Sequence, residues 1–283
     1  MERKQYNQLI DINYDEDYKT NTLDIYYPET DKEVYPTVIH VHGGAFKKGD
    51  KQDNQLDAYF AFVEAGYALV SINYRLSGEA TFPANILDTK KAIRYLRKNA
   101  DNYQLDESKF VLVGGSAGGY VVDMVCVTCD TPALDVVDNS ERQVSCGVQV
   151  GVSWFGPTQF TTMDEQIRSN LHGKDDHDDV DSPESLFMGE QITKLNKGYV
   201  LSAQPQSYVH KDMPPMLLQH GRKDCVVPWQ QSQSFYDASK LEGADITFEI
   251  LEEEDHGTEG FGSKENMERV VLFVNEKLDK KKR

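Results

Sequence analysis

The chain has 283 residues, enough for one large core, and its 47 acidic against 30 basic residues leave a formal charge of −17. That charge excludes a basic nucleic-acid footprint and disfavours an anionic membrane surface. No apolar run reaches membrane-spanning length and the sequence as written shows no apolar signal core, so a cytoplasmic protein engaging neither nucleic acid nor membrane is expected.

Residues 6–27 alternate apolar and polar side chains through Leu9, Ile12, Leu23, Ile25 and Tyr27, which predicts an antiparallel pair of strands ending at Pro28. Pro36 to Val41 is a continuous apolar strand that runs into His42-Gly-Gly-Ala-Phe46. A helix is expected around 53–65, closed by Gly66, and a core strand from Tyr67 to Asn73. Pro83 opens a helix whose apolar face carries Ile86, Leu87, Ala92, Ile93 and Leu96 at helical spacing.

Phe110 to Val113 is another buried strand. It leads into Gly114-Gly-Ser116-Ala-Gly118 and then an apolar helix. Strand, Gly-x-Ser-x-Gly and helix in this order form a nucleophile elbow. The turn is so tight that small residues must flank Ser116, and it leaves the Ala117 amide at a helix N-terminus, where it can stabilise an oxyanion.

Further strands are read at Cys146–Trp154, Pro214–His220 and Ile246–Leu251, with helices at about 229–241 and 265–278 and a basic tail from Lys280 to Arg283. Strands alternating with helices predict an α/β fold with a mostly parallel sheet covered on both faces. The chain is read as one domain, 1–283, with a polar, cap-like insertion at about 157–210 lying over the active site at the sheet's carboxyl edge. Its acidic run Asp175–Asp181 reads as solvated surface, with short helices near 184–198. Cys126, Cys129, Cys146 and Cys225 read as buried, reduced thiols, since neither zinc-site spacing nor a disulfide framework is present.

An activated serine needs a base, an acid to orient that base, and oxyanion donors. Seven histidines compete for the base. His40 lies in a strand, His42 in the glycine turn, His172 and His177 in the insertion, and His210 and His220 beside a strand. His256 stands directly after the last strand, on the edge where Ser116 emerges, and is assigned as the base. Asp224 is on the loop after the preceding strand, with Val226 and Val227 to bury it. It is preferred over Asp255, since a carboxylate adjacent in sequence seldom reaches Nδ1. The order Ser116, Asp224, His256 is that of α/β-hydrolases. Gly43 and Gly44 are expected to supply the second oxyanion arm beside Ala117, the inward amide among Gly43, Gly44 and Ala45 being left open.

These motifs resemble those of α/β-hydrolase esterases of the hormone-sensitive-lipase-like kind, nearest to bacterial carboxylesterases related to bifunctional acetylxylan–feruloyl esterases. The resemblance runs through Leu23–Pro28, His42–Ala45, Asn73–Leu76, Phe82-Pro83 with Asp88, Gly114–Gly119, Trp154–Pro157, His220–Asp224 and His256-Gly257. Ala45 departs from it, standing where many relatives have a third glycine. So does the charged run Glu252–Asp255. The resemblance implies an α/β-hydrolase fold and a serine carboxylesterase acting on short acyl esters, acetyl or feruloyl groups on carbohydrate foremost, with no metal or organic cofactor. It also implies that Asn73, Tyr74, Arg75 and Asp88 are structural. A small-molecule ester is the expected partner, and a homodimer is left open. An arylformamidase-like amide hydrolase and a non-catalytic hydrolase-fold interaction protein are the alternatives.

Overall fold

A computed structural model of the chain describes residues 6–30, 32–129, 131–135, 143–170 and 173–280. His172 and the tail beyond 280, both considered above, lie outside them. Eight strands form one sheet: β1 (Asn7–Asn13), β2 (Thr22–Tyr27), β3 (Tyr35–Val41), β4 (Ala68–Ile72), β5 (Leu105–Gly115), β6 (Val150–Trp154), β7 (Met216–Gly221) and β8 (Ile246–Leu251), in the order β1-β2-β4-β3-β5-β6-β7-β8. Only β2 runs against the rest. This is the mostly parallel α/β-hydrolase sheet expected.

The strands were legible because they are buried on both faces. β4 and β6 are buried at every residue, and such strands read as unbroken apolar runs rather than alternating ones. The two edge strands differ: β1 is exposed along nearly its whole length, and β8 is half-buried beyond Ile246. The predicted strand at 146–154 shortens to β6, and the predicted helix at 53–65 divides. Its first part, Asn54–Tyr59, is a 3₁₀ segment capped by Asp53, and only α1 (Phe60–Glu64) is α-helical.

Helices cover both faces. α2 (Ala84–Lys98), α3 (Ala117–Thr128) and α7 (Gln230–Leu241) pack one side through residues such as Ile86, Ile93, Val121, Val122 and Phe235. α1 and α8 (Lys264–Lys280) pack the other through Phe62, Val63, Met267, Val270 and Val274. Burying one such side chain is worth about 1.5–3 kcal/mol, so each layer is held by many modest contributions. Among the described residues no helix is long and apolar enough to cross a membrane.

The insertion contains α4 (Met163–Asn170), α5 (Pro183–Met188) and α6 (Lys197–Ser202), of which α4 was not anticipated. Its Phe160 and Phe187 join Phe46 and Tyr120 in an aromatic cluster, with Phe187 stacked on Phe46 at 4.3 Å. These residues belong to the core on the α2–α3–α7 side. The acids Asp175, Asp176, Asp179 and Asp181 are exposed, but His177 in their midst is buried.

Cys126 and Cys146 are buried, whereas Cys129 and Cys225 are half-buried. The Cys129 Sγ lies 2.8 Å from that of Cys146. All four are free thiols.

The switch in strand order falls at β3, which lies between β4 and β5. There α3 starts so close to β3 that a Cβ on Gly118 would lie 2.1 Å from the Val41 carbonyl oxygen and 2.8 Å from that of His42. Both obstacles are backbone. Gly118→Ala is therefore expected to lower the unfolding free energy by about 2 kcal/mol or more. Gly78→Ala, with nothing within 4 Å of its added methyl, should stay within about 0.5 kcal/mol. Urea unfolding followed by circular dichroism checks both.

Candidate active site

Ser116 sits between β5 and α3 with φ 57° and ψ −126°, a strained conformation for a residue with a side chain. Its amide donates to the Trp154 carbonyl (2.9 Å) and its carbonyl accepts from the Tyr120 amide (3.0 Å), so β6 and α3 both lock the turn. Ser116 Oγ lies 2.9 Å from His256 Nε2, and His256 Nδ1 lies 2.8 Å from Asp224 Oδ2. The three residues picked from the sequence thus form one hydrogen-bonded chain. With a carboxylate at Nδ1, that nitrogen carries the proton and Nε2 is left to accept from the serine hydroxyl.

Asp224 is fully buried and its acceptors are well supplied. Oδ1 receives the amides of Val226 (2.9 Å) and Val227 (2.8 Å), while Oδ2 faces both His256 Nδ1 and His220 Nε2 (3.3 Å). Burial opposes its charge, yet the bonds from His220 and His256 outweigh it and hold the carboxyl well below the usual aspartate range. His220 was passed over in the sequence because it ends a strand. Its Nε2 donates to the Val227 carbonyl (2.8 Å) and its Nδ1 accepts from Ser232 Oγ (2.7 Å), so the ring fixes the loop that carries Asp224.

The rival acid, Asp255, does not reach Nδ1. Its Oδ1 receives the amides of Cys225 (2.8 Å) and His256 (2.7 Å), joining the Asp224 loop to the His256 loop. Glu252 and Glu253 join the same two loops by pairing with Arg222 and Lys223, whereas the Glu254 carboxylate accepts from Thr258 Oγ1 and the Gly260 amide within its own loop.

The glycine turn after β3 corrects one expectation. The Gly43 amide is taken by Gln55 Oε1 at 2.9 Å, so this residue does not offer a free oxyanion donor. Gly43 matters through its size instead, since a Cβ there would lie 2.8 Å from the Gly115 carbonyl and 3.3 Å from Ser116 Cβ. Gly44 and Ala45 line the cavity beside Ser116, and among the described residues their amides and that of Ala117 have no hydrogen-bond partner. Gly44 has φ 121°, and Ala45 and Phe46 follow at 54° and 62°. His42 supports the turn from beneath. It stacks on Tyr74 at 4.4 Å, Tyr74 Oη donates to its carbonyl (2.8 Å), and burial lowers its pKa. Arg75 clamps Asp88 with both Nε and Nη2, and Asn73 receives the Lys51 amide.

A cavity of about 850 Å³ opens at Ser116 and His256. Its floor is an aromatic series: Phe155 lies edge-on to His256 at 4.7 Å, Phe261 meets Phe155 at 4.6 Å, and Trp154 follows at 5.6 Å with Tyr59 stacked on it at 4.9 Å. The Tyr59 hydroxyl and the Trp154 indole N–H are buried without a hydrogen-bond partner among the described residues. Lys48, Gln55, Asp57 and Glu259 stand at the exposed rim. No described residue of 157–210 lines this cavity, although His177 of the insertion bonds the carbonyl of Val226, which does. The reason is packing. The cavity's aromatic floor belongs to the α1–α8 side of the sheet, whereas the insertion's apolar residues are drawn into the opposite core.

The BD-FAE family model matches residues 23–239. Esterase LipQ of Mycobacterium tuberculosis is 32% identical over 246 residues, covering 86% of this chain and 55% of its own length. A probable carboxylic ester hydrolase of the same organism, LipM, is 28% identical over 80% of this chain and 50% of its own. The chain therefore spans about half the length of these curated relatives. Among solved structures, a truncated carbohydrate esterase from gut microbiota superposes with a TM-score of 0.85 at 29% identity, covering 97% of both chains. A bifunctional GH43-CE protein of Bacteroides eggerthii gives 0.83 at 29% identity, covering 95% of this chain and 38% of that one.

Two predictions follow from the geometry. Asp224→Asn should leave the fold intact and lower kcat about 10⁴-fold, because an amide favours the wrong tautomer of His256. Since the folded-state pKa of Asp224 is depressed, its stabilising charge is fully present above the unfolded value of about 3.9 and fades as pH falls below it. The stability gap between wild type and Asp224→Asn should stay constant from pH 8 to about 5 and shrink below about 4. For Ala45, φ 54° costs an alanine about 1 kcal/mol relative to glycine, so Ala45→Gly should raise the unfolding free energy by about 0.5–1 kcal/mol. By family model, sequence and superposition, the chain belongs to the BD-FAE family and has the α/β-hydrolase esterase fold.

Proposed function

We propose that this protein is a serine carboxylesterase that removes short acyl groups, acetyl or feruloyl, from carbohydrate. One observation carries the reading: the continuous contact from Ser116 Oγ through His256 to the buried Asp224, opening on a cavity lined by Gly44 and Ala45, whose amides have no hydrogen-bond partner among the described residues. His256 takes the proton from Ser116 as its oxygen attacks the ester carbonyl. The amides of Gly44, Ala45 and Ala117 receive the oxyanion, the last with help from the N-terminal dipole of α3. Asp224 holds the ring and stabilises the imidazolium while remaining ionised. The alcohol then leaves with the proton from His256, and water repeats the sequence on the acyl-enzyme.

For the substrate, the supporting features are the cavity and the carbohydrate esterases that superpose on the chain. A volume of about 850 Å³ accommodates more than an acetyl group, and flat rings along its floor suit either a phenolic acyl group or the apolar face of a sugar. The polar rim suits a hydroxyl-rich alcohol.

The test is a panel of p-nitrophenyl esters from acetate to dodecanoate, with acetylated xylo-oligosaccharides, methyl ferulate and N-formylkynurenine alongside. Wild type is expected to turn over acetate fastest among the p-nitrophenyl esters and to release acetate or ferulate from the carbohydrate-type substrates. Ser116→Ala should fall at least about 10⁴-fold. Preferential cleavage of the formamide would overturn the ester assignment, and hydrolysis no faster than the Ser116→Ala variant would leave a binding role.

A further inference from the structure

The insertion reaches the candidate catalytic acid through one histidine. His177 is buried in the turn between α4 and α5, with its Nε2 2.9 Å from the Val226 carbonyl oxygen and its Nδ1 3.2 Å from Glu184 Oε2. A carbonyl and a carboxylate both accept, so each ring nitrogen faces an acceptor, an arrangement that favours the doubly protonated imidazolium. Burial opposes that charge, but Glu184, Asp164 and the Val226 carbonyl outweigh it and hold the pKa above the usual histidine value. The turn itself is fixed from α4, where Asp164 accepts the amides of His177 (2.9 Å) and Asp178 (3.1 Å).

Val226 connects this to the chemistry. Its carbonyl, held by His177, shares a peptide plane with the Val227 amide, which donates to Asp224 Oδ1 (2.8 Å); its own amide reaches the same oxygen from the preceding peptide. The next carbonyl, that of Val227, is held by His220 Nε2, so the Val227 residue that carries the donating amide is fixed on both sides. Two histidines, one from β7 and one from the insertion, therefore grip successive carbonyls of the loop whose amides aim Asp224. His220 also faces Asp224 itself, whereas His177 acts only through the peptide.

We propose that His177 is a positioning residue for Asp224: by clamping the Val226 carbonyl it fixes the Val227 amide, on the same peptide plane, that orients the carboxylate toward His256. The proposal rests on the role assigned to Asp224 above. A plain brace for the insertion would contribute stability alone, whereas a clamp on this peptide contributes to turnover through Asp224. Outer residues that orient a reactive group from one bond away are typically worth 10–100-fold, the range measured around metal ligands.

The test compares His177→Leu, which keeps bulk without a donor, with His177→Gln, which keeps an N–H for the carbonyl, in the full chain. Two readouts are taken: kcat and KM on p-nitrophenyl acetate, and the far-downfield proton resonance of His256 Nδ1–H against Asp224. His177→Leu is expected to lose about 10–100-fold in kcat with KM within about twofold, and to lose the resonance. His177→Gln should keep the resonance and stay within about threefold of wild type. In an Asp224→Asn background, His177→Leu should change kcat by less than about twofold, because it acts through the group already removed. If His177→Leu does not fold, His177→Asn takes its place with the same expected losses, its amide being too short to reach the carbonyl. The proposal is overturned if the donor-less variant keeps both kcat and resonance, if the Leu and Gln variants lose alike, or if the full loss recurs without the Asp224 carboxylate. Absence of ester turnover by wild type would sink the esterase reading alone, and the resonance would still decide the clamp.

Discussion

The backbone of Ser116 is the constraint on which the rest depends. At φ 57° and ψ −126° it stores about 1–3 kcal/mol of strain, and the surrounding structure must over-determine it. That is achieved by proximity. The turn fits only because α3 starts almost in contact with the end of β3, where Gly118 meets the Val41 carbonyl, and because the Ser116 amide is tied to β6. Relaxing either contact would let the peptide flip to an ordinary conformation and lower the hydroxyl toward the sheet. The same approach brings the turn after β3 next to the serine, so one packing decision sets both the nucleophile and the amides that face it.

The second requirement is a carboxylate that stays charged in a dry place. An isolated buried aspartate would be neutral, so Asp224 depends on its donors: two peptide amides on one oxygen and two imidazoles on the other. Those donors lie on different segments, and the segments are fastened to each other. Asp255 bonds the Cys225 amide, the Lys223 amide donates to the Glu254 carbonyl, and Arg222 and Lys223 pair with Glu252 and Glu253. The surface pairs are individually weak, but together with the peptide bonds they hold two loops in one register.

How much of this was legible follows from the range of each signal. The elbow, the strand runs and the Ser116–Asp224–His256 order are local patterns, and local patterns survive in a sequence. Gly44 and Ala45 could be placed near the serine but not oriented, because the choice depends on Gln55, twelve residues beyond Gly43, capping the Gly43 amide. His177 and His220 look like bystanders in sequence, and only their distances to the Val226 and Val227 carbonyls reveal what they hold. The core that the insertion joins is hidden in the sequence for a related reason. Its polar composition suggests a cover over the site, but the few apolar residues within it, Phe160 and Phe187 foremost, decide which core it joins.

That placement separates two tasks that a lid would have combined. The cavity is shaped by the 3₁₀ segment Asn54–Tyr59, the loop after His256 and the end of β6, all leaning on α1 and α8. The insertion packs into the other core and bonds the Asp224 loop through His177 and Val226, while Phe160 and Phe187 pack on Phe46 of the glycine turn. Substitutions in the first group therefore act on what fits beside the serine, through the aromatic floor and the exposed rim. Substitutions in the second act on how well Asp224 is held, whatever the substrate. A change in the insertion that scaled the turnover of every ester by one factor, and a change at Tyr59 or Phe261 that reordered the esters, would be the two signatures of this division.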